Sequence, residues 1–202
     1  MIKSIIFDFG GVVLRHRKDI MEKIIAKMFS ISFEQASEVW KENKAELVTG
    51  RMSSGDFLKK MKNRYKTKLT LNELLGMWSA LYKKEAEDIN WELLSFIEKL
   101  KTRYRVYLFT DTIDVHDQFN RTRGIYEKFH GVFKSFEERT IKTERNAFLN
   151  VLKKIKARAE ECIFIDDLKS NVVIANKLGM KGIVFENFGQ LKKELKKRIN
   201  IN

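Results

Sequence analysis

Three short apolar runs in this chain each end on polar residues able to do chemistry. Ile2 to Phe7 leads into Asp8, Val106-Tyr107-Leu108-Phe109 into Thr110-Asp111, and Cys162-Ile163-Phe164-Ile165 into Asp166-Asp167. Runs of this length, rich in β-branched and aromatic residues and separated by helical periodicity, predict buried parallel strands. Val132-Phe133 and Gly182-Ile183-Val184-Phe185 are two further strand candidates. Between the later strands the spacing of Ala147, Phe148, Val151, Leu152 and Ile155 predicts a helix over Asn146–Ile155. A second helix follows over Asn171–Leu178, stopped by Gly179. Strand and helix in alternation imply a doubly wound parallel sheet. In such a sheet the ligand crevice lies at the carboxyl ends of the strands, where the carboxylates and the threonine fall.

The alternation is interrupted once. A βαβ unit needs only about thirty residues, whereas about a hundred separate Asp8 from Thr110. The excess reads as helix at about 19–29, 32–47, 53–65 and 70–82, and a helix near 90–100 returns the chain to the sheet. Ser32 and Thr70 are expected N-caps, and Thr70-Leu71-Asn72-Glu73 fits a capping box. Trp40, Phe57, Leu74 and Trp78 at helical spacings predict a small core belonging to this insertion.

Composition removes several classes of protein. An apolar share of 44% with 33% charged residues is too apolar for disorder and calls for a packed core. The chain has no proline, which excludes proline-rich linkers and strips out the strongest element-stop signal. Lone Cys162 allows no internal disulfide, and no segment approaches the ~18 apolar residues of a membrane span. The apolar run Ile5–Phe7 meets Asp8 too soon for a signal peptide, so the expected location is the cytoplasm. Forty basic against 27 acidic side chains give a net charge of +13, which favours anionic partners. Solvated lysine-rich helix surface, including the basic tail Lys192–Arg198, explains much of it. Nucleic acid is not the expected partner, nor is a membrane, and the oligomeric state stays open.

The polar residues form four clusters: Asp8 with Gly10-Gly11, Thr110-Asp111, Lys142, and Asp166-Asp167. Carboxylates at adjacent strand ends repel unless a cation sits between them, and oxygen donors of this kind suit Mg²⁺. A lysine and a hydroxyl beside them suit a phosphoryl group bridging to that metal. Asp8 can then act as a covalent nucleophile toward phosphorus, and Gly10 and Gly11 let backbone approach the ligand. Taken singly, an aspartate at a strand end is usually a turn residue and a lysine between helices is usually solvated. All four in order at strand ends are a different matter.

IIFDFGGVVL, LFTDT, the lone lysine of RTIKTER, and FIDDLKSNVVIANKLGM resemble the four motifs of the haloacid dehalogenase superfamily, in order and spacing. The insertion after the first motif is similar to the helical C1 cap of subfamily I, whose members are mostly Mg²⁺-dependent phosphatases. The resemblance implies an α/β fold, with a Rossmann-like core in residues 1–14 and 97–202 and an all-helical cap domain in 15–96. It makes Asp8 the nucleophile and a Mg²⁺ ligand, and Gly10 a ligand through its carbonyl. Thr110 and the Asp111 backbone would bind phosphoryl oxygens, and Lys142 would neutralise the phosphoryl group and hold the nucleophile. Asp167 would bind Mg²⁺, with Asp166 as ligand or support, and Asn171 would order that loop.

Three departures qualify the resemblance. The family's second aspartate, two residues past the nucleophile, is Gly10 here; it protonates the leaving oxygen, help worth about 10²–10⁴ in rate. The usual Asn of the second motif is Asp111, which either caps the turn after it or stands near the leaving group as a partial replacement acid. The usual Lys-Pro is Lys142-Thr143, where Thr143 can serve as an N-cap, and a glycine three positions earlier is Arg139. Arg15-His16-Arg17 at the hinge and Arg51 in the Thr49-Gly50-Arg51 turn are candidate contacts for an anionic substrate. No pattern marks His116 or His130 as a base. The expected activity is Mg²⁺-dependent hydrolysis of a small phosphorylated metabolite, a sugar phosphate among the candidates, through an aspartyl phosphate. The rival expectation is a related protein that holds a phosphorylated ligand or partner with weak turnover or none.

Overall fold

The computed structural model describes residues 1–15 and 19–200. Five parallel strands, β1 (Ser4–Phe7), β2 (Arg105–Thr110), β3 (Gly131–Lys134), β4 (Cys162–Asp166) and β5 (Lys181–Val184), form one sheet in the order β3-β2-β1-β4-β5. Alternation along the strands explains why both faces are apolar. Ile5 and Phe7 join one buried cluster with Leu108 and Ile165, while Ile6 joins the other with Phe109 and Phe164. Helices cover both faces, as a parallel sheet requires. All five expected strands are present, and the strand order reverses at β1 and β4, the switch point of an open α/β sheet.

The insertion is helical, as expected: α1 (Ile20–Phe29), α2 (Phe33–Val48), α3 (Ser54–Tyr65) and α4 (Leu71–Glu85). Ser32 accepts the Gln35 N–H at 3.2 Å and Thr70 accepts the Glu73 N–H at 3.2 Å, with the Glu73 carboxylate returning to the Thr70 N–H at 2.7 Å. These caps replace the proline punctuation that the chain lacks. Helix α5 (Trp91–Lys101) packs on β2, and the Asn90 N–H donates to the Val13 carbonyl at 2.8 Å. A boundary between residues 96 and 97 therefore cuts through α5, and the return to the sheet begins near Asn90.

The insertion's core is not its own. Phe57, Leu74 and Trp78 are completely buried, but they belong to one apolar cluster that runs on to Leu108 and Ile165 on the sheet. The join is made by α6 (Asp114–Arg121), an element the apolar pattern did not predict. His116 on α6 stacks on Tyr82 at 3.6 Å, its Nε2 accepts the Trp78 indole N–H at 3.1 Å, and the Asn120 amide donates to the Tyr82 hydroxyl at 3.1 Å. Burial pushes the His116 imidazole down to about 3, so it is a neutral acceptor here. The remaining helices are α7 (Ser135–Glu138), α8 (Arg145–Lys154), α9 (Lys169–Lys177) and α10 (Phe188–Lys196). The basic tail Lys192–Arg198 takes in the second half of α10 and the two residues after it, with Leu191 and Leu195 buried.

Candidate active site

The parallel register places Phe7 level with Leu108 and Ile165, so the residues that follow emerge together. Asp8 is locked there by its own N–H, which donates to the Ile165 carbonyl at 2.8 Å. Its Oδ1 accepts the Phe9 N–H at 2.6 Å and faces the Lys142 ammonium at 2.5 Å. The same ammonium lies 2.8 Å from Asp166 Oδ2. Asp166 is fully buried, and its carboxylate also accepts the Leu168 N–H at 2.9 Å and the Asn171 amide at 3.1 and 3.2 Å. Asn171 on α9 thus orders the loop.

Asp8, Asp166 and Asp167 each offer a carboxylate oxygen within 4.8 Å of the others. Gly11 is what makes room for the third: its φ is +77°, and a Cβ there would stand 2.2 Å from Asp167 Oδ2. Three carboxylate oxygens converge here, two of the groups already on one ammonium, and a divalent cation is what would relieve their mutual repulsion. Oxygen-only donors of this kind fit Mg²⁺. The electrostatics agree. Burial drives the Asp8 carboxyl up to about 8, with Lys142 opposing the rise and Asp166 reinforcing it. Burial pulls the Lys142 ammonium down, but Asp8, Asp166 and Asp111 outweigh it and hold the charge firmly on.

Residues 2–179 match the haloacid dehalogenase-like hydrolase family. The chain belongs to that family. It is 24% identical over 204 residues to a D-ribitol-5-phosphate phosphatase of Bacteroides thetaiotaomicron, covering 96% of this chain and 97% of that protein. A sesquiterpene phosphatase of Aspergillus oryzae is 33% identical over 94 residues, 45% of this chain and 47% of its own. Among solved structures, a haloacid dehalogenase family enzyme of Bacteroides thetaiotaomicron in complex with magnesium and inorganic phosphate superposes with a TM-score of 0.79. It is 21% identical, over 95% of this chain and 99% of that one.

Against the family pattern, the second and third motifs interlock in a way the sequence did not reveal. Thr110 is buried at the end of β2, and its hydroxyl makes a long 3.5 Å contact with the Asp111 carbonyl. Asp111 does not cap the turn that follows it. Both its oxygens accept the Lys142 N–H at 3.2 Å, so the second motif grips the loop that carries the lysine. Asp111 is exposed as a residue, yet the protein crowding its carboxyl raises its pKa against the pull of Lys142. Thr143 is not an N-cap: Glu144 holds that position of α8 and makes no side-chain cap bond. With the Lys142 amide fixed from outside by Asp111, the turn does not depend on a capping hydroxyl. Arg139 stands exposed at φ +55°, so the glycine it replaces in the family pattern answers a backbone requirement. Gly10 is different again, since a Cβ there would meet nothing within 4 Å.

The insertion's α2–α3 turn presses on the sheet domain. A Cβ on Gly50, at φ +65°, would stand 2.3 Å from the Phe136 carbonyl of α7. Arg51 in this turn is exposed and, among the described residues, enters no ion pair. The cap cation that acts on Asp111 is Lys44, seven residues earlier on α2. It was missed because nothing local marks one exposed lysine of α2 as acting on a strand end. Arg15 pairs with Asp88 at 3.4 Å, and His16 and Arg17 lie outside the described residues. His130 is remote from the carboxylates in role, its Nδ1 accepting the Val106 N–H at 3.0 Å.

Proposed function

We propose that this hydrolase is a Mg²⁺-dependent phosphatase of a small phosphorylated metabolite, of the sugar-phosphate class, working through an aspartyl phosphate on Asp8. The observation that carries the reading is the Lys142 ammonium set between Asp8 and Asp166, with the Asp167 carboxylate converging on the same point, where a divalent cation would sit. The full-length likeness to a sugar-alcohol-phosphate phosphatase supports the substrate class.

Asp8 and Asp167 are the residues that would hold Mg²⁺, with Asp166 beside them and the Gly10 carbonyl as a further donor. The ion supplies charge neutralisation for the phosphoryl group and for the carboxylates. Asp8 Oδ attacks phosphorus, the ester P–O bond breaks, and the leaving oxygen departs with the bonding electrons. Lys142 and the Thr110 hydroxyl receive the charge on the phosphoryl oxygens. Asp111 positions Lys142 by gripping its amide. Water then cleaves the acyl phosphate and returns Asp8. With Gly10 in place of an acid, the leaving group must take its proton from solvent, so aryl, acyl and anomeric phosphates turn over faster than alkyl phosphates.

Measuring phosphate release from such a panel with and without Mg²⁺, for the chain and for Asp8→Ala, tests the reading. Mg²⁺-dependent release that disappears in Asp8→Ala is expected; release that survives the change would overturn it. Gly10 also favours a second reading, a phosphate-ligand holder without turnover. Tight binding of a phosphorylated sugar with no release from any panel member supports that one.

A further inference from the structure

A second concave feature lies at the opposite edge of the sheet. Lys3 directly precedes β1, and Arg105, which opens β2, is in register with Ser4. Both therefore mark the amino ends of strands whose carboxyl ends carry Asp8 and Thr110. Five residues at about 3.3 Å each put Lys3 about 17 Å from Asp8. Here a cavity of about 760 Å³ opens, within the range of about 300–1,000 Å³ typical of small-molecule sites.

Its walls carry Lys3, Lys101, Arg103, Arg105, Arg198 and His130, and among the described residues no aspartate or glutamate lines it. Two of the cations are held from outside the cavity: Lys3 by Glu161 at 2.6 Å and Arg198 by Glu194 at 2.5 Å. Lys101 is placed by backbone, its ammonium donating to the Glu127 carbonyl at 3.0 Å. Arg103 and Arg105 are exposed and, among the described residues, pair with no carboxylate. Five cations against two acidic partners leave three positive charges converging on one hollow. The His130 imidazole registers the same field, since burial first and then Lys101 and Arg105 hold its pKa down.

We propose that this cavity is a second binding site, taking a small polyphosphorylated ligand such as a nucleoside triphosphate or a bisphosphate ester, separate from the carboxylate triad. The chemistry is that of guanidinium forks on phosphate oxygens. The cations surround a hollow and do not form an extended track, so a compact polyanion fits better than a nucleic-acid strand, which needs a groove that follows its backbone.

Isothermal titration of the whole chain in EDTA with ATP, tripolyphosphate and adenosine at low salt tests this. ATP and tripolyphosphate are expected to bind one to one, and adenosine not at all. Replacing Arg103→Gln and Arg105→Gln together should weaken both anions by about tenfold or more, the loss of two charge-assisted contacts. Mg²⁺-dependent ester turnover should stay within about twofold, since neither arginine is near the triad. Asp8→Asn should leave tripolyphosphate affinity intact, which keeps this result independent of the phosphatase reading. No binding, binding unchanged in the double variant, binding lost in Asp8→Asn, or capture of a single-stranded oligonucleotide but neither small anion would each overturn the proposal.

Discussion

Two lysines are almost completely buried near the same edge of the sheet, and they do opposite things. Lys142 is 2% exposed and Lys134 is 4% exposed. Lys134 closes β3 level with Thr110, and its ammonium reaches Asp117 at 3.3 Å and Glu137 at 2.6 Å. Arg121 meets the same two acids at 2.7 and 3.2 Å. Two bases and two acids balance, and the cluster ties α6 to β3 and α7. Lys142 instead lies between Asp8 at 2.5 Å and Asp166 at 2.8 Å, and the Asp167 carboxylate crowds in on the same two acids. Burial of a lysine therefore does not mark a reactive site; carboxylates converging within one metal's reach do, because they specify what can bind.

The sharpest way to break this contrast is to remove each ammonium in turn. Lys142→Met should lower turnover by on the order of 10²–10³-fold, the usual loss when one oriented cationic donor leaves a reacting group. Lys134→Met should instead cost about 3 kcal/mol of stability, the low end for breaking a buried ion pair because Arg121 stays on Asp117. Its turnover per folded molecule should hardly change. Denaturant titration alongside single-substrate kinetics separates the two; equal losses of turnover would erase the distinction.

Gly10 sharpens the same contrast, because the triad has its charges but no proton donor. Nothing within 4 Å would obstruct a Cβ there and no left-handed φ is needed. Gly10→Asp is expected to raise the rate on alkyl phosphates by about tenfold to a hundredfold, part of the full worth of a general acid. The gain on aryl phosphates should be several times smaller. A uniform gain, or none, would show that leaving-group protonation does not limit this enzyme.

How much of this was readable beforehand depends on where the determining contacts lie along the chain. Asp8, Thr110 and Asp166 each follow an apolar run, so strand ends and carboxylates were visible together. Helix α6 was not, because only Val115 and Phe119 of its eight residues are large and apolar. It is buried through His116, Asp117 and Asn120, whose partners lie far away in sequence: Trp78 and Tyr82, 38 residues back, and Lys134, 17 ahead. That distance also hid the continuity of the cap core with the sheet. The Asp111 grip on Lys142 spans 31 residues and overrode a local rule, the Thr143 cap. Local patterns located the site's members, and long-range polar pairs decided how they are held.

The buried carboxyl of Asp8 has a pH signature of its own. Asp8 rises from an ordinary value of 3.8 to about 8 in the folded protein. Between those values the folded state keeps a proton that the unfolded chain has lost, so metal-free stability falls as pH rises across the window and levels off above it. A divalent cation replaces that proton. The melting-temperature gain from Mg²⁺ should therefore be larger at about pH 9 than at about pH 6. Asp8→Asn should abolish the trend. A gain independent of pH would mean that another group sets the metal's affinity.

The smallest effect lies on the segment that joins the two lysines. Arg139 ends α7 at φ +55°, with its N–H on the Ser135 carbonyl. A non-glycine residue in that conformation costs roughly 1–2 kcal/mol, while glycine loses about 0.4–1 kcal/mol more backbone freedom on folding. The difference leaves Arg139→Gly about 0.5–1 kcal/mol more stable, or a melting point about 1–3 °C higher for a chain of this size. Because Arg139 is exposed and Asp111 already fixes the Lys142 amide, turnover should stay within about twofold. A rise in turnover well beyond that would mean that strain at Arg139 reaches Lys142 through the two residues between them, and that the lysine's position is set by this loop as well as by the carboxylates around it.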